Sequence, residues 1–203
     1  MSIVKLNNRS VKDVTAFGSI SSLGSLTHIA TQTASSSASL SFTSGIDSTY
    51  KEYIFYFVNI HPANDGANFQ FQGDTGTNTN YNQTITSTMF MANHNEGGST
   101  TQFQYESGYD LAQGTGFQPL QSGGLIGNGN DECLSGFLHL FNPSSSTFVK
   151  HFTATTNQYS SYDYSINSFI GGYFNTTTAI TRLQFKMASG NIDSGQILLF
   201  GLN

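Results

Sequence analysis

The sequence predicts an all-β fold: an antiparallel β-sandwich, jelly-roll-like, with an extended N-terminal arm. Three observations lead there. From about residue 33 onward, apolar side chains recur at every second position, the period of a half-buried strand. The runs are separated by short polar turns rich in Gly, Asn and Ser. Beyond a turn or two, no stretch repeats apolar residues at the spacing of an amphipathic helix. About nine or ten strands on one chain fit two stacked sheets, and a sandwich of 203 residues folds as a single domain.

The arm, residues 1–30, holds Lys5, Arg9 and Lys12, three of the seven basic residues, among the spaced aliphatics Ile3, Val4, Leu6, Val11 and Val14. Gly18, Gly24 and the serines near them break any helix. The segment is expected to lie along a surface, its own or a neighbour's, as an assembly arm.

Residues 31–203 are expected to form the sandwich. In ASLSFT (38–43) Leu40 and Phe42 share one face. KEYIFYFVNI (51–60) carries large residues at both parities, which predicts cover on both faces. NFQFQ (68–72) turns Phe69 and Phe71 inward, and TITSTMFMA (84–92) and TQFQYE (101–106) repeat the alternation. SGFLHLFNPSSSTFVKHFTAT (135–155) reads as a hairpin turning at Asn142-Pro143-Ser144, because Pro suits a turn and not a central strand. The pair Gly171-Gly172 in SINSFIGGYFN predicts a bulge or a sharp bend. TAITRLQFKMA (178–188) sets Leu183, Phe185 and Met187 against Arg182, Gln184 and Lys186. The greasy run at 197–202 predicts a central strand covered on both faces, with Gly201 allowing a close neighbouring backbone or a bend at the edge. The Gly-rich connection 107–133 is too long for a simple turn and is expected to be functional or contact-making.

Composition narrows the function. Charged residues are 9% of the chain, against about 25% in an ordinary soluble domain. Ser, Thr, Asn, Gln and Gly replace them, while 17 Phe and 10 Tyr supply a core, so disorder is a poor reading. Low charge also makes contact between identical subunits cheap. A net charge of −5 gives no general attraction to nucleic acid or anionic lipid, and no apolar run approaches the ~20 residues of a membrane helix. No nucleic acid and no membrane insertion are therefore expected. The single cysteine, Cys133, allows no internal disulfide. MSIVKLNNRSVKDV lacks the apolar core of a secretory signal peptide, so synthesis in a cytoplasm is expected and the sequons at Asn8, Asn82 and Asn175 stay unused.

The search for chemistry is largely negative. No Ser sits in G-x-S-x-G, no His pair has metalloprotease spacing, and QSGGLIGNGND lacks the ending of a phosphate loop. No enzyme activity, no catalytic residue and no cofactor are expected. Cys133 has no local signature of a nucleophile and reads as an inert buried thiol. His139 and His151 fall on adjoining strands, but spacing supplies no third ligand and Lys150 would oppose a cation, so no metal is expected. GDTGTNTNYN (73–82) and GNGNDE (127–132) resemble oxygen-rich cation loops, and turn-forming Asn and Gly account for both. A saccharide site needs exposed rings for sugar faces and polar groups for hydroxyls. NQYSSYDYS and YESGYD have that composition, making Tyr159, Tyr162, Asp163, Tyr164, Tyr105 and Tyr109 the candidate glycan contacts. The simpler reading is that these tyrosines rim a sheet or a subunit contact.

Three stretches carry a resemblance: QTASSSASLSFTSGIDSTYKEYIFYFVNIHP (32–62), LHLFNPSSSTFVKHF (138–152) and QFKMASGNIDSGQILLFGLN (184–203). They resemble small jelly-roll virion structural proteins of tailed, particularly marine, bacteriophages. The shared features are a strand, a Gly-rich turn and a closing strand with a Gly-aliphatic ending, here Gly190, Ile192, Gly195, Ile197, Leu199 and Gly201. The resemblance implies a tail-fibre, tail-associated or capsid-decorating component that commonly assembles as a homotrimer, and it implies no catalytic residues. Together with the low charge, it gives the expectation of a non-enzymatic virion surface protein anchored through its N-terminal arm, partnered by itself and by capsid or tail proteins. The alternative from a different class is a carbohydrate-binding module recognising host surface glycans.

Overall fold

A computed structural model describes residues 26–76, 79–122 and 125–202. The arm positions Ile3, Val4, Leu6, Val11 and Val14 lie outside the described residues. Strands occupy the described chain without a helix. They are β1 (Thr27–Thr33), β2 (Leu40–Phe42), β3 (Glu52–Pro62), β4 (Phe69–Asp74), β5 (Ile85–Asn95), β6 (Thr101–Tyr105) and β7 (Ala112–Gly114). Then come β8 (Gln118–Pro119), β9 (Leu134–Phe141), β10 (Lys150–Ser160), β11 (Tyr164–Phe174), β12 (Arg182–Met187) and β13 (Ile192–Leu202).

All pairings are antiparallel and build two sheets. The larger runs β1-β13-β3-β9-β10-β11-β5-β6, with β7 beside β6 on the same edge of β5, and the smaller runs β2-β12-β4-β8. Take β1, β2, β3, β4, β8, β9, β12 and β13 as strands one to eight. Their orders are then one-eight-three-six and two-seven-four-five, which is the double Greek key of a jelly roll. Two insertions widen it. β5 to β7 enter between strands four and five, β10 and β11 between six and seven, and both extend the larger sheet past the smaller one. The expected jelly-roll-like sandwich is the fold. Its first strand starts at Thr27, so the sheet takes in the last residues of the stretch read as arm.

Between the sheets the core is aromatic. Phe185 on β12 is fully buried, with ring centroids 5.4 Å from Phe55 and from Phe57, 5.9 Å from Phe69 and 6.1 Å from Phe71. Phe71, Phe152 and Phe174 continue the cluster toward β10 and β11, at 5.1–6.1 Å. These are edge and offset contacts, worth about 0.5–1.5 kcal/mol each beyond the area they bury.

Four expectations need correction. β3 and β13 bury Tyr53, Phe55, Phe57, Ile197 and Leu199 on the inner face, whereas on the other face Ile54 is buried and the remaining side chains are half-buried or exposed. Their other face is the outside of the sandwich, and its apolar residues shield one another instead of meeting a second layer. The β9–β10 connection is a loop over 142–149 and not a tight turn at Pro143. Asn142 N donates to Lys51 O (2.6 Å), Ser145 Oγ accepts from N of Phe148 (3.0 Å), and ladder pairing starts at Leu140 and Phe152. Gly171-Gly172 makes no bulge, since β10 and β11 pair without a shift. Gly172 is small because a Cβ there would lie 2.7 Å from both the Phe152 ring and Thr86 O. At Gly201 the close neighbour is the Tyr50 ring, 2.2 Å from where a Cβ would be, and there is no bend.

Candidate functional site

Two hairpin tips meet at one pole of the extended sheet. β10 and β11 pair as far as Ser160 and Tyr164 and close through Ser161, Tyr162 and Asp163. A three-residue hairpin loop needs a left-handed residue, and Asp163 supplies it at φ 60°. Asp163 N donates to Ser160 O (3.1 Å) and Tyr162 N to Ser160 Oγ (3.3 Å). At the β5–β6 tip, Asn95 Oδ1 accepts from N of Ser99 (3.0 Å) and Thr100 (2.7 Å). Glu96 N then donates to Asp163 O at 2.9 Å, joining one tip to the other.

The joined tips carry an open cavity on each side. The inner one, about 330 Å³, is lined by Asn93, Thr100, Gln102, Ser160, Tyr162 and Tyr164, with no charged side chain. The outer one, about 230 Å³, includes His94, Glu96, Asn157, Tyr159 and Ser165 in its walls. The six tyrosine-rich candidates therefore separate. Tyr162 (66% exposed) and Tyr164 share the inner cavity. Tyr159 stands on the opposite face, its hydroxyl donating to Asp163 Oδ1 at 3.2 Å. Burial first, then that bond and the carboxylates of Asp163, Glu96 and Asp131, push its pKa up to about 12. Asp163 shapes the turn. Tyr105 lies on the outer face opposite Phe90 and donates to the Asp110 carboxylate, a bond that raises its pKa. Tyr109 packs against the core, its carbonyl accepting from Gln118 Nε2 at 2.8 Å. Asn93, Thr100, Gln102 and Ser160 went unnoticed in sequence. The available signal was polar Asn93 at a position where the strand's alternation calls for an apolar inward residue.

The long 107–133 connection turns out to be a cover. It carries β7 and β8, the latter an edge strand of the smaller sheet, and covers those parts of the inner side of β10, β11 and β5 that β4 does not reach. Thr156 Oγ1 donates to Leu120 O, Ser122 N to Ser168 Oγ (3.1 Å), and Ser87 Oγ to Gln118 Oε1 (2.5 Å). Gln121, fully buried, accepts from Phe69 N (3.0 Å) and donates to Ala67 O (3.2 Å) and Asn68 Oδ1 (3.1 Å).

Both oxygen-rich loops spend carboxylate oxygens on their own backbone. Asp74 accepts from N of Gly76 (2.6 Å) and Tyr81 (3.3 Å), and Glu132 from Gly129 N. His139 pairs with Glu52 across β9 and β3, while His151 packs on Tyr173. Among the described residues no three or more His, Cys, Asp and Glu cluster as metal ligands. Cys133 is half-buried, and burial, then Asp131, raises its pKa, which opposes thiolate formation.

The outer face of the larger sheet is a second candidate. Ladder registers align Thr31, Leu198, Tyr56, Phe137, Thr155, Phe169, Phe90 and Tyr105 in one row across eight strands. Phe90 stacks on Phe169 (4.9 Å) and meets Phe103 edge-on (5.5 Å). Val58, Phe90, Phe103, Tyr105 and Phe141 are exposed on this face, Phe103 by 74%. The row holds no Lys, Arg, Asp or Glu.

Comparison of the chain with protein-family models, with curated proteins and with solved structures finds no match in any of the three.

Proposed function

We propose that this protein is a non-enzymatic structural component of a virion, a surface protein of a tailed bacteriophage, decorating the capsid or associated with the tail. It self-associates as a homotrimer through the outer face of its larger sheet, and its N-terminal arm anchors it to the particle. The observation that carries this reading is the aromatic row on the outer face, which holds no Lys, Arg, Asp or Glu. A jelly roll alone does not specify a role. At strand spacings of ~4.8 Å and side-chain rows ~6.6 Å apart, this row and its two neighbours span roughly 700 Å². That is close to the ~800 Å² per partner of a stable protein interface. A homotrimer sets this face against a different patch of the next copy, and a chain with so few charges makes that contact with little repulsion, so the occupant that suits it is a second copy of this chain. The resemblance of 32–62, 138–152 and 184–203 to phage virion proteins supports the setting.

Sedimentation analysis of the full chain tests the assembly. The expected mass is three copies, and Phe103→Asp together with Val58→Asp should give a monomer with unchanged circular dichroism. A wild-type monomer at micromolar concentration overturns it. Deleting residues 1–16 tests the anchor: a folded, cooperatively melting domain should be missing from particles. Undiminished incorporation, or loss of folding, refutes the anchor.

A further inference from the structure

The inner cavity at the joined hairpin tips has features that assembly does not call for. Its walls come from four strand ends and two loops that are already fixed by the Asn95 bonds, the Ser160 bonds and the Glu96–Asp163 link. Such a site needs little ordering when a ligand arrives, which removes a main cost of binding. Several of its hydrogen-bonding groups are also unspent. Among the described residues, the hydroxyls of Thr100, Tyr162 and Tyr164 have no partner. Asn93 Nδ2 donates to Gln102 Oε1 at 3.2 Å, but Asn93 Oδ1 is buried without a partner. A buried carbonyl oxygen left unpaired costs about 1–3 kcal/mol, and a donor entering the cavity would relieve it after a small rotation of the amide.

We propose that this cavity binds a neutral saccharide, with the exposed Tyr162 ring against one sugar face and Asn93, Gln102, Thr100 and Tyr164 bonding its hydroxyls. The chemistry selects this class over others. No Lys or Arg lines the cavity, so phosphate and carboxylate find no counter-charge, and no carboxylate lines it to hold a cation. Glu96, Asp163 and Asp131 place negative charge around Tyr159 at the same pole, which repels sialylated or sulfated sugars. A ring with an apolar face and a hydroxyl rim matches an aromatic platform bordered by amides and hydroxyls. At about 330 Å³ the cavity is at the small end of ligand sites, the size for a terminal ring and not for a long chain. This site lies on the opposite side of the sheet from the proposed trimer face and does not depend on it.

The test uses the full chain on an array of neutral and sialylated glycans, followed by NMR titration with the methyl glycosides of the array's hits. The expected result is binding of neutral terminal sugars with Kd about 1 mM, equivalent to about −4 kcal/mol. Shift changes should be confined to residues 93–102 and 160–164. Tyr162→Ala and Asn93→Leu should each weaken binding about tenfold or more. Tyr159→Phe, on the far face, should leave it unchanged, as should the Phe103→Asp, Val58→Asp pair. The NMR spectrum of each variant reports whether it is folded. No binding to any neutral sugar overturns the proposal, and so does undiminished binding by a folded Tyr162→Ala. If the Phe103→Asp, Val58→Asp variant is monomeric and still binds, the saccharide site stands separately from the assembly. If the wild type is a monomer and binds, only the assembly reading falls.

Discussion

β10 is buried along its whole inner side, yet its two ends are buried by different chemistry. From Lys150 to Ala154 the inward side chains face the smaller sheet, where Phe152 joins the rings of Phe71 and Phe174. From Thr156 to Ser160 every inward side chain is polar, and the cover is the 107–133 loop. A sheet presents side chains that pack, so a sheet-on-sheet interior can be apolar throughout. A loop brings unpaired backbone groups into the interior, and those must find partners. The fully buried Gln118 and Gln72 are such partners, and Gln121 reaches out of the loop to do the same for Phe69 N and Ala67 O. Gln72 Nε2 alone reaches the carbonyls of Gln83 (3.0 Å) and Gly116 (2.7 Å). One end of the molecule is held by shape and the other by hydrogen-bond satisfaction.

Phe185→Ala breaks the aromatic end hardest. It removes the ring that Phe55, Phe57, Phe69 and Phe71 all touch, and the neighbours can collapse only partly into the space. The expected loss is about 3–5 kcal/mol of unfolding free energy, read from urea denaturation. A loss under about 1 kcal/mol would mean the core repacks freely.

Gln121→Leu is the matching cut at the loop-covered end. Side-chain volume is nearly kept, but Phe69 N loses its partner and Ala67 O keeps only Ile126 N of its two donors, so the expected loss is about 1–3 kcal/mol. The location separates the mechanisms better than the magnitude does. Hydrogen exchange should rise at the amides of β8, β10 and β11 next to the loop while β3 and β13 keep their protection. Uniform loss over both halves would show that the loop is no separate unit.

That contrast also marks what the sequence disclosed. Period two is a local signal, so Leu40/Phe42, Phe69/Phe71 and Leu183/Phe185/Met187 could be assigned to the core from residue type alone. The loop-covered end rests on bonds between distant residues. Gln121 answers Phe69, 52 positions away, and Thr156 answers Leu120, 36 positions away. No local pattern distinguishes such a glutamine from a solvated one. Gly171-Gly172 was misread for a related reason: glycine marks a bulge and a close ring contact alike, and only the position of Phe152 decides between them. Large residues at both parities of β3 implied a second covering layer, where the outer rings in fact shield one another. At the pole, Tyr162 and Tyr164 were legible as a pair, but their cavity partners Asn93 and Gln102 arrive from another hairpin through the β11–β5 register.

The smallest effect is an alkaline one at the pole. Tyr159 has its pKa raised to about 12 in the folded protein, against an ordinary value near 10. Between those values the folded state holds a proton that the unfolded state has released. Stability contributed by the neutral hydroxyl is therefore complete below about pH 10 and is lost as pH rises through about 12. Lys150, buried with the carbonyls of Phe148 (2.7 Å) and Thr176 (3.1 Å) as its partners among the described residues, runs the other way. Burial lowers its pKa, the unfolded state binds the extra proton, and its penalty fades as pH rises toward the ordinary lysine value. The two can be separated by following the stability difference between wild type and Tyr159→Phe from pH 8 to 12. That difference cancels Lys150 and should stay flat to about pH 10, then shrink. A flat difference over the whole range would mean that burial and the bond to Asp163 do not hold the Tyr159 proton.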